Sequence, residues 1–129
     1  MILDQPLPDN IALIEAVQQL TDDFDCAVML KGGHHSDKDS AIDYLATDDT
    51  TYRLRSPLVN AKSSHGTGCT LSAAIAANLA NGKDLITAAA AAKAYVHHSL
   101  VNCSNVGPEA WAMVQPEVNE ESIVEVEIL

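Results

Sequence analysis

The residues best suited to chemistry form one stretch, Ser63-Ser64-His65-Gly66-Thr67-Gly68-Cys69-Thr70, which runs straight into Leu71-Ser72-Ala73-Ala74-Ile75-Ala76. A Gly-Thr-Gly turn that opens an alanine-rich helix leaves its first backbone N–H groups without intrahelical acceptors. The helix dipole adds partial positive charge there, and glycines let an anion come close. The chemistry on offer is phosphate binding by backbone donors of Gly66, Thr67, Gly68 and Cys69. The same residues also suit a plainer role, a helix start whose glycines only permit a tight turn, and a short G-x-G pattern alone does not choose. Cys69 has two readings as well. Thiols at helix N-termini ionise readily and can accept a proton, whereas free cysteine is commonly a small buried residue. Lys31, ahead of Gly32-Gly33, is either a cation for phosphate or a solvated lysine at a strand end. The five histidines, His34, His35, His65, His97 and His98, suggest no metal site, because no carboxylate stands beside them at ligand spacing.

The elements that must position these groups read as α/β. Asp9 or Asn10 can cap a helix beginning near Ile11, with Leu13, Val17 and Leu20 on one face and the acidic Asp22–Asp25 stretch at its end. Cys26–Leu30 is a short continuous apolar run, the pattern of a strand buried on both faces in a parallel sheet. Residues Ala41–Ala46 and Thr51–Leu58 alternate as two strands, and Asp48-Asp49 between them supplies turn chemistry for a hairpin. The helix from the Gly-Thr-Gly turn stacks Leu71, Ile75 and Leu79 and stops at Asn81-Gly82. Asp84 caps a second helix to about Leu100, whose expected inner stripe is Ala89, Ala92, Val96 and Leu100. Gly107-Pro108 breaks the chain, and Glu121–Leu129 alternates weakly as a terminal strand.

Composition narrows the partners. The 129 residues are 47% hydrophobic and carry a formal net charge of −11, a globular balance sized for a single domain. That charge argues against nucleic acid, which needs clustered Lys and Arg, and against an anionic membrane surface. An anion must instead be held by local backbone donors that oppose the global field. Cys26, Cys69 and Cys103 are odd in number and contain no CxxC pair, so neither a disulfide framework nor a zinc ribbon is expected. Met1–Asn10 is unlike a secretory signal, and the longest helical candidate carries Lys93 and two histidines, unlike a membrane span. The expected location is the cytoplasm.

Three segments together carry a family resemblance. His65-Gly66-Thr67-Gly68-Cys69-Thr70 leading into Leu71–Ala76 resembles, nearly letter for letter, the anion-hole signature of hydroxymethylpyrimidine/phosphomethylpyrimidine kinases of the ribokinase-like family. Val28-Met29-Leu30-Lys31-Gly32-Gly33-His34 resembles that family's strand and Lys-Gly-Gly-His turn. Ala91-Ala92-Lys93-Ala94-Tyr95-Val96 resembles its Ala-Lys-x-Tyr-Val helix. Order and spacing agree from about Asn10 to Pro108, and the acidic end from residue 109 to 129 does not match. Ser63-Ser64 stands where the family commonly has Asn-Thr, and His35 where it commonly has Leu.

The resemblance implies a truncated ribokinase-like fold, with a small mixed β-sheet and a hairpin flanked by α-helices. It implies ATP with Mg2+, the anion hole at Gly66, Thr67, Gly68 and Cys69 on the γ-phosphate, Lys31 as a phosphate contact and Cys69 as the proton acceptor. It covers only the later part of the family's fold, so most pyrimidine contacts and the acidic residues near magnesium are expected from elsewhere. The sheet edge and apolar helix face thereby exposed should be covered by a second copy, by a separate chain supplying the N-terminal half, or by Val124–Leu129. Three functions remain open: phosphoryl transfer to hydroxymethylpyrimidine or its phosphate in thiamine synthesis, inactive in this chain alone; a non-catalytic nucleotide- or phosphate-binding remnant; and an oligomeric structural module.

Overall fold

The computed structural model describes residues 10–32, 39–62, 65–115, 117 and 123–129. Asp9, Gly33-His34 of the Lys-Gly-Gly-His turn, Ser63-Ser64 and the middle of the acidic tail lie outside them. Contacts divide the chain into two compact units, Met1–Arg55 with Glu125–Leu129, and Ser56–Val124.

In the first unit, helix α1 (Asn10–Phe24) buries Leu13, Ala16, Val17, Leu20 and Thr21, the stripe that apolar spacing of three and four predicts. It ends where Asp25 takes a left-handed conformation, φ 51°, which a short polar side chain tolerates better than most. Strands β1 (Val28–Lys31), β2 (Ser40–Ala46), β3 (Thr51–Pro57) and β6 (Glu125–Ile128) form one sheet in the order β1-β2-β3-β6. Helix α1 covers it through a core of Leu13, Val17, Ile42, Tyr44 and Ala46, with Ile14, Val28 and Leu30 packed against them. Each Leu or Val side chain buried there contributes about 1.5–3 kcal/mol.

Two expectations about this sheet need correction. The Cys26–Leu30 run suggested a doubly covered parallel strand, but β1 is a half-buried edge strand paired antiparallel to β2, from Val28 opposite Ala46 to Lys31 opposite Asp43. The mixed sheet expected from the resemblance is also not what forms here, because the β3–β6 register, Tyr52 opposite Ile128 to Arg55 opposite Glu125, is antiparallel too. Connection length supplies the reason along β1-β2-β3 but not at β3–β6, where residues 58–124 intervene. A parallel crossover needs a dozen or more residues, whereas β2 and β3 are joined by a tight turn in which the Thr47 N–H donates to the Thr50 carbonyl at 2.9 Å. The terminal strand is present as expected and occupies the free edge of β3, where Arg53 pairs with Glu127.

In the second unit, helix α2 (Thr67–Ala80) and helix α3 (Leu85–Val101) pack against each other. Helix α2 stops at Asn81, and Gly82 follows at φ 86°, its N–H donating to the Leu79 carbonyl at 2.9 Å. Asp84 caps α3 by accepting from the Thr87 N–H at 3.0 Å and from the Thr87 hydroxyl at 2.7 Å. Both boundaries match the sequence reading. The inner stripes match only in part. Ala89 and Ala92 are buried, but so are Lys93, His97 and Ser99, while Val96 and Leu100 are half-buried. Leu71 is the one buried residue of α2, and Leu79 is 41% exposed. Where the sequence showed a break at Gly107-Pro108, the chain makes a small hairpin from β4 (Ser104–Gly107) and β5 (Ala110–Ala112), turned by Glu109 at φ 58°.

Candidate phosphate-binding site

The start of α2 is built by Gly66. It adopts φ 85° and ψ 0°, and no side chain caps the helix. The Thr70 N–H donates to the Gly66 carbonyl at 2.9 Å, the first bond of the helix. The N–H groups of Thr67, Gly68 and Cys69 therefore precede the intrahelical ladder and are the natural anion donors. Gly66 supplies the bend rather than a share of the helix. Gly68 is already helical, and a Cβ placed on it would meet no protein atom within 4 Å. Its missing side chain leaves open space beside the helix start.

A cleft of about 660 Å³ begins at Cys69 and Thr70, so of the turn's residues Cys69 is the one that lines it. Its floor is Ala73, Ala74 and Ala77 of α2, and Ala91 and Tyr95 of α3 face them. Gln115 closes it, its Oε1 accepting from the Tyr95 hydroxyl. An apolar trough with a few polar groups and an anion seat at one end has the form and size of a small-molecule site. The Cys69 thiol is exposed there, so the alternative of a small buried core residue does not hold.

The sequence-predicted residues divide between the two units. Gly66, Thr67, Gly68 and Cys69 come together in the second unit. Lys31 belongs to the first, exposed at the end of β1 opposite Asp43, and its phosphate role rests on the resemblance. Sequence reasoning assigned no role to Tyr95 or Gln115. Tyr95 lay inside the Ala-Lys-x-Tyr-Val segment, which was a usable signal, whereas Gln115 lies beyond the matched stretch and offered none. Among the described residues no three His, Cys, Asp or Glu side chains converge to hold a metal ion. No helix among them is long and apolar enough to cross a membrane.

His97, behind this site on α3, is 9% exposed and beside Lys93 and His98. Burial pushes its pKa below the usual 6.5, the neighbouring positive charges of His98 and Lys93 add to this, and a hydrogen bond with the Pro57 backbone opposes it. The folded protein then binds this proton less readily than the unfolded chain. The resulting stability is full above 6.5 and is lost as pH falls through the folded value. Thermal unfolding of the α2–α3 unit is expected to move to lower temperature between about pH 7.5 and about pH 5.5, with the slope reduced in His97→Gln. Equal slopes in the two proteins would show that His97 does not set the dependence.

Known proteins share this arrangement of segments. The phosphomethylpyrimidine kinase family model matches residues 1–114. A hydroxymethylpyrimidine/phosphomethylpyrimidine kinase from Rhizobium meliloti is 50% identical over 74 residues, which cover 57% of this chain and 27% of that protein. The enzyme of the same name from Haemophilus influenzae is 34% identical over 102 residues, 77% of this chain and 38% of that one. The solved structure of the pyridoxal kinase from Staphylococcus aureus in complex with AMP-PCP superposes with a TM-score of 0.84 at 29% identity, over 95% of this chain and 46% of that chain. The chain thus spans less than half the length of each of these relatives, and its α/β class is ribokinase-like. With its uncapped Gly-Thr-Gly-Cys helix start and a family match that runs through both compact units, this chain belongs to the phosphomethylpyrimidine kinase family.

Proposed function

We propose that this chain supplies the phosphate-binding part of an ATP-dependent phosphotransferase whose acceptor is hydroxymethylpyrimidine or its monophosphate, a step of thiamine synthesis. The observation that carries the reading is the uncapped helix start at Thr67–Cys69, whose last residue, Cys69, lines the cleft. Relatives named for this reaction support it, and structures of the Staphylococcus aureus pyridoxal kinase with AMP-PCP and with ADP support a nucleotide as phosphoryl donor.

In this reading the three N–H donors stabilise the charge that develops on the γ-phosphoryl oxygens. The acceptor hydroxyl oxygen bonds to the γ-phosphorus as the bond to ADP breaks. The hydroxyl proton passes to the Cys69 sulfur, which is exposed at the mouth of the cleft. Magnesium would enter with the nucleotide, and no step is assigned to a protein-held ion, since the described residues offer no ligand set.

Turnover should need the rest of the fold, whether joined to this chain or brought by another. The exposed Ala76 and Leu79 of α2, outside the cleft lining, offer an apolar face for that part or for a second copy. The 129 residues alone are expected to show no phosphorylation of hydroxymethylpyrimidine with ATP and magnesium, and to sediment above the monomer mass of 13.7 kDa. Adding the complementary part of a related kinase should restore turnover. If the complemented mixture stays inactive while phosphate still binds, the chain is a non-catalytic phosphate-binding module, the reading favoured by its partial coverage of its relatives. Turnover by the pure chain alone would overturn the claim that more of the fold is needed.

A further inference from the structure

Among the described residues, Gln115 is the one cleft-lining side chain that neither α2 nor α3 contributes. The segment that carries it is tied to the site at two points. Met113 stands beside the phosphate turn, its Cε 3.6 Å from where a Cβ on Gly66 would lie. Two residues on, Gln115 accepts a hydrogen bond from the Tyr95 hydroxyl, twenty residues away on α3. The short segment from Met113 to Gln115 therefore runs as a strap from the anion seat to the opposite wall of the cleft.

The chemistry of that end follows from the bond. Tyr95 engages Oε1, so the function left to the Gln115 side chain is its Nε2, which carries two N–H donors. The floor offers alanine methyl groups, and Asn78 Nδ2 gives one of its two N–H donors to the Ala74 carbonyl at 2.8 Å. An alanine-lined floor with a positioned amide donor beside it suits a heterocycle that presents an acceptor at its edge. Resting on the reading that nucleotide phosphates bind at Thr67–Cys69, we propose that Gln115, held by Tyr95, is a specificity-determining residue whose amide donates to an acceptor on the nucleotide base.

The test compares two probes on the full chain, ADP and inorganic phosphate, each titrated against backbone amide shifts in the parent, Gln115→Ala, Gln115→Glu and Tyr95→Phe. Gln115→Ala should weaken ADP about tenfold, the effect of one lost hydrogen bond, and leave phosphate binding unchanged. Gln115→Glu should weaken ADP further, because it sets an anionic acceptor against an acceptor. Tyr95→Phe should fall between parent and Gln115→Ala, since the amide remains but is no longer held. Gln115 is exposed, so these variants should fold, and their unperturbed phosphate titration reports that they have. Equal losses for ADP and phosphate, or no loss for ADP, would overturn the role of Gln115 while leaving the phosphate seat standing. Failure of the parent to bind either probe would overturn the phosphate seat and this inference with it.

Discussion

Gly68→Ala should abolish phosphate binding while leaving α2 folded. Parent binding is expected to be weak, roughly millimolar, because the net charge of −11 opposes anion entry. The variant's methyl group enters open space beside the helix start, where it should crowd an anion held by the Thr67, Gly68 and Cys69 N–H groups and cost at least about tenfold in affinity. Misfolding cannot supply the loss. Gly68 lies in the helix, nothing beyond its chain neighbours and the helix's own backbone comes within 4 Å of an added Cβ, and alanine favours a helix over glycine by up to about 1 kcal/mol. Cys69→Ser keeps its backbone donor and should keep most of the binding. Phosphate titrations followed by amide shifts of Thr67 and Cys69 decide the matter. If both amides shift in Gly68→Ala as they do in the parent, the methyl group does not obstruct the anion and the role given to Gly68 falls; if they do not shift in the parent, the turn is only a turn.

Features set by local chemistry were legible in the sequence. The Asp84 cap, the Asn81-Gly82 stop and the opening of α2 within Gly66-Thr67-Gly68 each depend on a few adjacent residues. The terminal strand was legible because its alternation survives in Val124–Leu129. The pair of glycines around Thr67 was harder. A Gly-Thr-Gly string does not say which glycine takes the left-handed bend and which enters the helix, and only the backbone path assigns the first to Gly66.

Other features depended on what covers them. A short apolar run such as Cys26–Leu30 reads the same for a doubly buried strand and for an edge strand with one helix over it. Helix α3 hid its inner face for a different reason. With alanine at every position from 88 to 92, there is no contrast from which to read a period, so the burial of His97 and Ser99 could not be anticipated. The β4–β5 hairpin went unread because its strands span only four and three residues and Gly107-Pro108 signals a break in either case. Gln115 was silent since its meaning comes from Tyr95, which the fold brings to it from α3.

Gly32→Ala should be among the most destabilising single changes in this chain, and for reasons of space rather than conformation. A Cβ on Gly32 would stand 2.1 Å from the Ile42 carbonyl oxygen and 3.2 Å from its carbon. Those are backbone atoms of β2, so no rotamer can relieve the clash. The strands must part instead. Parting them weakens the two bonds that the Gly32 N–H donates, to the Ile42 carbonyl and to the Asp43 carboxylate, both at 3.1 Å. It also disturbs Ile42, which is 5% exposed in the core beneath α1. Overpacking of this kind costs about 1–3 kcal/mol, and weakening the one N–H that both acceptors share adds about 1 kcal/mol, so a loss of about 2–4 kcal/mol is expected. Gly82→Ala is the informative control. Gly82 has φ 86° but nothing within 4 Å of an added Cβ, so only the backbone term applies, about 1–2 kcal/mol. Amide exchange over Val28–Lys31 and Ser40–Ala46 reads the first effect, and exchange at the end of α2 reads the second. Should Gly32→Ala protect the β1–β2 amides as well as the parent does, the close approach of β2 to Gly32 is not a feature of the folded chain.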